Sequence, residues 1–318
     1  MSTYLVTGGA GFVGSHLVER LVKEGHEVRV LDNFISGFES NLEPFAKKIE
    51  LVRGDIRDES VVKEIMSGVD FVLHQAALRA VQRSVSDPIS TNEVNVGGTL
   101  NLLMAAREAN VKRFVFASSS SAYGDSNEKV RREEQKPQPI SPYAASKVAI
   151  EYYCSIFKRL YGLQAVSLRY FNVFGPRQSP YSQYALVIPI FMQKICDGEA
   201  IEIHGDGEQT RDFSYIDNIV DANIKACSTP KLNYDIYNVG CGSTYSINHL
   251  YKELSRLLKK SVDTIHTDPR QGDMRTTLAD ISRIQSDLKY RVLVDFQSGL
   301  KKTVDWFLSS RKTANKQN

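Results

Sequence analysis

Residues 7–14 read TGGAGFVG and stand between a short apolar run and a segment with helical spacing. Gly8 and Gly11 allow the backbone to turn tightly and to approach a pyrophosphate, and Gly14 allows the following helix to pack closely on the strand. A helix that begins at such a turn presents free N–H groups and the positive end of its dipole to that phosphate. The stretch therefore predicts a dinucleotide-binding turn at the first strand–helix junction.

Outward from this turn, the first half of the chain alternates short apolar runs with segments of helical spacing. The runs lack polar alternation, which is typical of strands buried on both faces of a parallel sheet. In the intervening segments Ser15–Glu24 and Gly97–Ala109, apolar residues recur at helical spacing and share one face. The pattern predicts an α/β fold with a Rossmann doubly wound parallel sheet. Its predicted strands are Tyr4–Thr7, Glu27–Asp32, Ile49–Arg53, Asp70–His74, Arg113–Ala117 and Ala165–Arg169.

The rhythm of the sequence changes at about residue 172, where Gly, Pro and Gln become frequent and the apparent strands and helices shorten. We predict a dinucleotide-binding domain over residues 1–171 and a smaller α/β substrate-binding lobe over residues 172–310, interleaved with the first domain. Residues 311–318 form a polar, basic tail, and fraying is expected from residue 309 onward because the segment lacks a hydrophobic face.

Composition excludes several classes of protein. The 318 residues are 42% hydrophobic and 24% charged, which is ordinary for a soluble globular protein. The net charge of +3 gives no reason to expect nucleic acid or a membrane surface as a partner. No apolar run approaches the roughly 20 residues that span a bilayer, and the N-terminus lacks the basic start of a signal peptide. The four cysteines form no CxxC pair. We therefore expect a cytoplasmic protein without a bound metal.

An acidic residue, Asp32, ends the second predicted strand. At that place a carboxylate accepts hydrogen bonds from the adenosine ribose and repels a 2′-phosphate, and Asn33 and Phe34 supply no cation to offset the repulsion. The cofactor is therefore predicted to be NAD and not NADP. Asp55 follows the third strand, where it could either cap the strand end or bond the adenine amino group, and its position does not decide between them.

Two segments further along the chain carry candidate reaction chemistry. Strand Arg113–Ala117 runs into the serines at 118–121, and Ser141-Pro142 is a helix-start signal about twenty residues beyond them. Tyr143 and Lys147 stand four apart in that helix and share a face. Such pairs occur by chance on many helices. The glycine turn and the strand that ends in serines favour a catalytic role here.

The chemistry of this pair follows from charge. A lysine ammonium, together with an oxidised nicotinamide ring, would lower the pKa of Tyr143 from about 10 toward neutral. The tyrosine would then serve as a general base toward a sugar hydroxyl. A nearby serine could bond the same oxygen and stabilise the charge that develops there.

Together these motifs resemble those of the extended short-chain dehydrogenase/reductase superfamily, and within it the NAD-dependent nucleotide-sugar epimerases. The likeness runs from Tyr4 to about Phe307. It rests on GGAGFVG at 8–14, Asp32-Asn33, Asp55-Ile56, HQAA at 74–77, NVGGTLNLL at 95–103, the serines at 118–121, Tyr143 with Lys147, and LRYFNVFGPR at 168–177.

The resemblance implies roles for individual residues. Ser119, the first of three matching serine positions, would bond the reacting hydroxyl beside Tyr143 and Lys147, while Ser120 and Ser121 would face the sugar. Lys147 would also bond the nicotinamide ribose. The other implied cofactor contacts are Phe12, Val13, Asp32, Asn33, Asp55, Ile56, Ala76, Ala77, Asn95 and Phe171.

In the second lobe, two glycine turns each carry arginine, HGDGEQTRDF at 204–213 and PRQGDMR at 269–275. Two arginines brought together can hold a diphosphate by fork-like hydrogen bonds, although one alone is more often a solvated surface charge. The resemblance implies that Arg211 and Arg270 form such a clamp and that the substrate is a UDP-sugar. It further implies contacts from Asn172 to the phosphates, from Asp273 to the uridine ribose, and from the segment 185–189, including Val187, to uracil.

The type of reaction is inferred from one missing carboxylate. Dehydratases and decarboxylases that resemble this chain carry an acidic residue just after the catalytic serine or threonine, whereas SSSAYG at 119–124 has none. The resemblance therefore implies epimerisation at C4 through a 4-keto sugar. Thr277 stands where relatives line the 2-substituent of the sugar, and a small residue there admits an N-acetyl group. UDP-N-acetylglucosamine and UDP-glucose, with their C4 epimers, are the expected substrates.

Three alternatives remain open. The chain could be a UDP-glucuronate 4-epimerase, a decarboxylase or dehydratase on the same scaffold, or a non-catalytic NAD-sensing protein, although such proteins typically lose the tyrosine or the lysine. The helices at 97–109 and 143–161 resemble those of a four-helix homodimer interface. Apolar surface for it comes from Leu102, Leu103, Ala149, Tyr152 and Tyr153, although each could instead belong to the core, and a homodimer is expected.

Overall fold

The computed structural model describes residues 1–126, 128–179, 186–269 and 275–317, with side chains described up to residue 312. The strands are β1 (Thr3–Thr7), β2 (Glu27–Asp32), β3 (Ile49–Arg53), β4 (Phe71–His74), β5 (Arg113–Ser119), β6 (Val130–Arg131), β7 (Ala165–Tyr170), β8 (Val173–Phe174), β9 (Ile201–His204), β10 (Thr210–Arg211), β11 (Ser214–Tyr215), β12 (Ile236–Val239), β13 (Tyr245–Ser246), β14 (Thr264–Thr267) and β15 (Thr276–Ala279). The helices are α1 (Phe12–Lys23), α2 (Glu59–Met66), α3 (Val81–Ser86), α4 (Pro88–Asn92), α5 (Thr99–Glu108), α6 (Pro142–Tyr161), α7 (Val187–Asp197), α8 (Ile216–Ser228), α9 (Ile247–Leu258), α10 (Ser282–Leu288) and α11 (Phe296–Gln317).

The central feature is a parallel sheet. Within the described part of the chain it has seven strands in the order β12-β7-β5-β4-β1-β2-β3. The chain builds outward from β1 to β2 and β3, then returns to the other side of β1 to add β4, β5 and β7. This order confirms the predicted Rossmann fold. The carboxyl ends of β1 and β4 lie where the order reverses, which is where such sheets bind their ligands.

Both faces of this sheet are covered because successive strand residues point to opposite sides. Val6 of β1 is fully buried in a core that includes Leu17 of α1. Its neighbour Leu5 is fully buried in a second core, which includes Leu102 of α5. Continuous apolar runs therefore form strands here because neither face meets water, as the absence of polar alternation predicts.

One predicted helix is interrupted. Glu93–Gly98 forms a π-helical turn, and the regular helix α5 begins only at Thr99. Asn95 is buried in this turn, where its side chain accepts the Leu78 backbone N–H at 2.8 Å and donates to the Leu78 carbonyl at 3.1 Å. The turn therefore holds the loop that follows β4 in place beside the carboxyl ends of the strands.

Residues beyond 172 contribute to two layers. A separate sheet contains the short strands β13, β10 and β15 in that order, and β6, from residues 130–131, adds to it beside β15. Strand β12 returns to the large sheet beside β7. Helix α8 packs on α1 and so covers one face of the large sheet. The second half of the chain thus supplies both a small lobe and an edge strand of the first layer.

The C-terminal tail is helical. Helix α11 continues from Phe296 to Gln317, and fraying from residue 309 onward stays a prediction. The helix is anchored by the buried side chains of Leu300, Val304 and Phe307, and a helix once nucleated adds residues readily. Arg311 also donates to a carboxylate oxygen of Asp197 at 2.8 Å. Within the described ranges, no helix combines the length and the apolar character needed to cross a membrane.

Candidate active site

A cleft opens at the carboxyl ends of β1 and β4, where the strand order reverses. About 1010 Å³ of space inside it and at its open mouth is free of protein atoms. The structure brings together many of the residues that the sequence predicts for the cofactor and the reaction. Those that line the cleft are Gly8, Gly11, Phe12, Val13, Gly14, Asp32, Asn33, Ile56, Ala76, Ala77, Tyr143 and Lys147.

The glycine turn is fitted tightly at the floor of the cleft. Gly8 has a φ of 67°, and a Cβ there would lie 2.7 Å from the backbone nitrogen of Ala76. A Cβ on Gly14 would lie 2.1 Å from the carbonyl oxygen of Gly8. Gly11 precedes the first residue of α1, and no side chain caps that helix. The start of α1 therefore offers backbone N–H groups to a phosphate, as a dinucleotide requires.

The Asp32 carboxylate binds the backbone of two turns at the cofactor end of the cleft, one at Ala10 and one at Phe34. Its Oδ2 accepts the Ala10 N–H at 2.9 Å and its Oδ1 accepts the Phe34 N–H at 2.8 Å. Burial raises the pKa of Asp32. Each carboxylate oxygen keeps a further lone pair, so the group can hold its turn and still accept from a ribose hydroxyl.

Asp55 lies beside this end of the cleft and is already engaged. It forms an ion pair with Arg57 and accepts the Asn33 side-chain amide at 2.9 Å. Arg57 lowers the pKa of Asp55 to about 2. Asp55 therefore supports Asn33, which lines the cleft, and is not itself among the lining residues.

Tyr143 and Lys147 enter the cleft from the first turns of α6. The Ser141 hydroxyl accepts the Ala144 N–H at 3.1 Å and Pro142 opens the helix, so the sequence signals set its start. Ser119 lies near enough to the Tyr143 phenol to lower its pKa. The Lys147 ammonium donates to the carbonyl of Ala117 at 2.8 Å. The strand end of β5 thus positions both members of the pair.

The charges of this pair depart from expectation in one respect. Burial raises the pKa of Tyr143, and the nearby Ser119 and the Arg79 charge offset only part of that effect. The polypeptide alone therefore does not lower the tyrosine pKa toward neutral, because removal from water disfavours a phenolate and the lysine is bonded to a backbone carbonyl. Burial also lowers the pKa of Lys147 to about 8.

The serine run divides its side chains between two sides of β5. Ser118 points inward and donates to Glu151 at 2.6 Å, whereas Ser119 points toward Tyr143, as strand alternation requires. The Ser119 hydroxyl also accepts the Ser121 N–H at 3.1 Å. Ser120 and Ser121 begin a single 3₁₀ turn, and both are partly buried.

Two further predicted cofactor residues, besides Asp55, lie outside the lining. Asn95 holds the loop after β4 through the backbone of Leu78, as described above. Phe171 is fully buried and packs against Tyr123 and Ala279. Neither side chain is among those that line the cleft.

In the smaller lobe, the structure places Arg211 opposite Thr277 in the pairing of β10 with β15. Thr277 is buried, and its hydroxyl has no hydrogen-bond partner among the described residues. Asn172 donates to the Asp212 carbonyl at 3.1 Å, and Val187 is the first residue of α7. The predicted residues Arg270 and Asp273, and Ala185 of the predicted uracil segment, lie outside the described residues.

Several lining residues were not predicted. Gln75, Arg79, Ser118 and Tyr170 all border the cleft. Arg79 acts on the charge of Tyr143. Its sequence signal is a cation placed just after the HQAA stretch at 74–77.

Comparison with known proteins agrees with this geometry. The NAD dependent epimerase/dehydratase family matches residues 4–240. A putative UDP-glucose 4-epimerase of Methanocaldococcus jannaschii is 37% identical over 97% of this chain and 99% of its own length. The UDP-N-acetylglucosamine 4-epimerase of Methanobrevibacter ruminantium, solved with UDP-N-acetylmuramic acid, is 39% identical with a TM-score of 0.92, covering 97% of this chain and 99% of its own.

A third relative was solved with the cofactor. The UDP-glucose 4-epimerase of Thermus thermophilus, in complex with NAD, is 37% identical with a TM-score of 0.87, and the match covers 97% of this chain and 99% of that one. The chain therefore belongs to the NAD dependent epimerase/dehydratase family, and its cofactor is NAD.

Proposed function

We propose that this chain is a UDP-hexose 4-epimerase that acts on UDP-N-acetylglucosamine and UDP-glucose. The observation that carries the proposal is the composition of the cleft around Tyr143. Ser119 and Lys147 flank the phenol, and among the described lining residues the only carboxylate is Asp32, at the cofactor end. Epimerisation needs one base and a reversible hydride transfer, whereas water elimination needs a further acid–base pair. The site therefore favours epimerisation over dehydration.

The turn at 8–14 and the start of α1 would hold the cofactor pyrophosphate, and Asp32 would hold its adenosine ribose. When bound, NAD would accept the hydride that leaves C4 of the sugar and would return the same hydride, so it would be unchanged over a cycle. Oxidised nicotinamide also adds the positive charge that the polypeptide lacks beside Tyr143.

The residues of the chain then handle the proton. Tyr143 takes the proton of the 4-hydroxyl, while Ser119 bonds the same oxygen and the Lys147 ammonium stabilises the phenolate. After the 4-keto sugar has turned about its diphosphate, Tyr143 would return the proton to the same oxygen while the hydride returns to the other face of C4. Arg211 and Arg270 are proposed to hold the diphosphate while the hexose turns.

Substrate breadth is proposed from Thr277. Its small side chain lies opposite Arg211, so an N-acetyl group on the sugar is not met by a bulky ring there. A relative that is 39% identical is a UDP-N-acetylglucosamine 4-epimerase, which supports the same substrate for this chain.

The direct test incubates the purified protein with UDP-glucose, UDP-N-acetylglucosamine and UDP-glucuronate separately and resolves the products. We expect the C4 epimers of the first two, with bound NAD still oxidised afterwards. Release of carbon dioxide, or a dehydrated sugar product, would replace this proposal with a decarboxylase or dehydratase. Turnover of UDP-glucuronate alone would move the assignment to that epimerase.

We also propose a homodimer formed through α5 and α6. Leu102 and Leu103 are fully buried in the core and cannot contribute, so that part of the predicted interface is wrong. Exposed apolar side chains nevertheless follow α6 at intervals of four residues: Tyr152 is 60% exposed, Ile156 43% and Leu160 70%. Sedimentation equilibrium at micromolar concentration checks this surface, and a monomer there would contradict the proposal.

A cytoplasmic location is proposed as well. All four cysteines are free, and two of them, Cys154 and Cys227, are buried. Free thiols suit a reducing compartment. Fractionation of cells that express a tagged chain tests the location.

A further inference from the structure

A buried ion pair lies beside the cleft and has no part in the reaction described above. Arg169 of β7 donates to both carboxylate oxygens of Glu151 of α6, with distances of 2.8 Å from Nε to Oε1 and 2.6 Å from Nη2 to Oε2. The two side chains are 1% and 3% exposed. Ser118 adds a bond from its hydroxyl to Oε1 at 2.6 Å. The carboxylate is therefore enclosed and held from two strands.

The position of this carboxylate relates it to the reaction. Glu151 stands one helical turn after Lys147 and shares its face of α6. Strand β5 links the two, because Ala117 accepts the ammonium at 2.8 Å and the next residue, Ser118, donates to the carboxylate. Ser118 also stands opposite Arg169 in the β5–β7 ladder. Two successive residues near the end of β5 thus bind the Lys147 ammonium and the Glu151 carboxylate.

Stability alone is a weak explanation for such a pair. Removing two charges from water is costly, and apolar residues of similar volume often serve a fold as well. We propose that Glu151, held in place by Arg169 and Ser118, is a positioning residue that keeps Lys147 in its ammonium form at the cleft. The inference rests on the proposed function for its meaning, but its effect on Lys147 is measurable without turnover.

The groups that border Lys147 act in opposite directions. Burial lowers the pKa of Lys147 to about 8, and Glu151 acts to raise it. His74 of β4 adds no charge, because burial lowers its pKa to about 3. Tyr143 lies on the same helix, with its ring centroid 5.7 Å from the ammonium. Arg169 lies behind the carboxylate, so its charge offsets only part of the effect of Glu151.

Most charged groups on the other elements that pack against α6 are open to solvent, and the buried Arg113 lies at the opposite end of β5, where it donates to the Ala226 carbonyl at 3.1 Å. Arg83 of α3 is partly exposed, and Glu93 of the π-helical turn and Arg107 of α5 are exposed. Water and salt screen such charges far more than they screen the enclosed pair. Glu151 is therefore the group whose removal should act most strongly on Lys147.

The test follows the lysine directly. Full-length protein with bound NAD and no sugar, labelled with carbon-13 at the lysine ε carbons, is titrated by NMR, and Lys147→Arg assigns the signal. In Glu151→Gln we expect the midpoint of Lys147 to fall by about 1 pH unit. Glu133→Gln is the matched control, since Glu133 is also buried but bonds Asn238 at 2.8 Å in another part of the molecule. It should leave the midpoint in place.

Turnover gives a second measurement. The alkaline limb of kcat should move down by about 1 pH unit in Glu151→Gln, with KM little changed, because a lower midpoint removes the ammonium at lower pH. If Glu151→Gln does not fold, Glu151→Leu combined with Arg169→Met replaces the pair by apolar groups and should lower the Lys147 midpoint by a smaller amount, because the opposing charge of Arg169 is removed as well.

An unchanged Lys147 midpoint in a folded variant overturns the proposal. So does failure of both variants to fold, which would make the pair a structural element only. A shifted midpoint in a protein that epimerises no UDP-sugar would instead retain this inference and reject the proposed function.

Discussion

The cofactor side and the substrate side of the cleft are built in different ways. The cofactor side is predicted to draw its phosphate and adenosine contacts from one continuous stretch, β1 to β2, where the glycine turn and Asp32 line the cleft. The proposed substrate side pairs the two-residue strand β10 with β15, which is distant in sequence. A site made by local backbone geometry leaves a spacing signal in the sequence, whereas a wall made from short distant strands does not. Sequence motifs therefore predict the cofactor side of the cleft better than the substrate side.

The largest effect is expected at the boundary between the two sides. Tyr143→Phe should lower kcat by about 10²–10⁴-fold, because the proton of the sugar hydroxyl then has no acceptor. Bound NAD should remain, since the phenol is not needed to hold the dinucleotide. Product analysis and the NAD content of the purified protein check both parts. A variant with normal turnover would contradict the mechanism.

The next effect should fall on the cofactor side alone. In Gly14→Ala the added Cβ would lie 2.1 Å from the carbonyl oxygen of Gly8, which belongs to backbone and cannot move aside cheaply. We expect affinity for NAD to drop about tenfold or more, a loss of roughly 1.4 kcal/mol. Calorimetric titration with NAD measures it. Gly97→Ala is the control, because no described atom lies within 4 Å of its Cβ position. Equal affinity in the two variants would refute the close fit.

A complementary effect is expected on the substrate side. Arg211→Gln should raise KM for UDP-sugars about 10–100-fold, since a hydrogen bond to a charged group contributes about 1.5–3 kcal/mol. NAD content should stay normal. Arg275→Gln is the control, because that exposed arginine pairs with Asp206 at 2.8 Å. Loss of NAD from Arg211→Gln would break the division between the two sides.

The smallest effect concerns choice between substrates. Thr277→Tyr should lower kcat/KM for UDP-N-acetylglucosamine relative to UDP-glucose by about tenfold or more, because a ring there excludes the N-acetyl group. Thr277→Ser should keep the ratio of the parent protein. Competition between the two sugars in one reaction measures it, and an unchanged ratio in Thr277→Tyr would place the sugar elsewhere.

The fold was largely predictable because buried parallel strands are continuous apolar runs. Strand Glu27–Asp32 matches its prediction residue for residue, and so does Ile49–Arg53, although that strand lies at the edge of the sheet and is partly exposed. The π-helical turn at Glu93–Gly98 was not predicted, because one extra residue in a turn barely alters the spacing of the apolar residues. The extension of α11 beyond residue 309 was not predicted either, because a polar segment shows no periodicity of its own although the anchored turns before it carry it onward.

The site was predictable where spacing alone determines it. The glycine turn and the Tyr143–Lys147 pair are fixed by local periodicity, so both reach the cleft. Desolvation depends on the whole surrounding fold, which is why the raised pKa of Tyr143 could not be read from its neighbours in sequence. The separate roles of Ser118 and Ser119 likewise depend on which face of β5 each occupies.

The buried amide of Asn95 has a consequence for motion. Besides gripping the Leu78 backbone, it donates to the Ser146 hydroxyl at 3.0 Å, which in turn donates to the Tyr143 carbonyl at 2.8 Å. The loop after β4 and the backbone of Tyr143 are therefore held together by one chain of hydrogen bonds. A displacement of the smaller lobe would leave these hydrogen bonds, and with them the position of the Tyr143 backbone beside the loop after β4, unchanged.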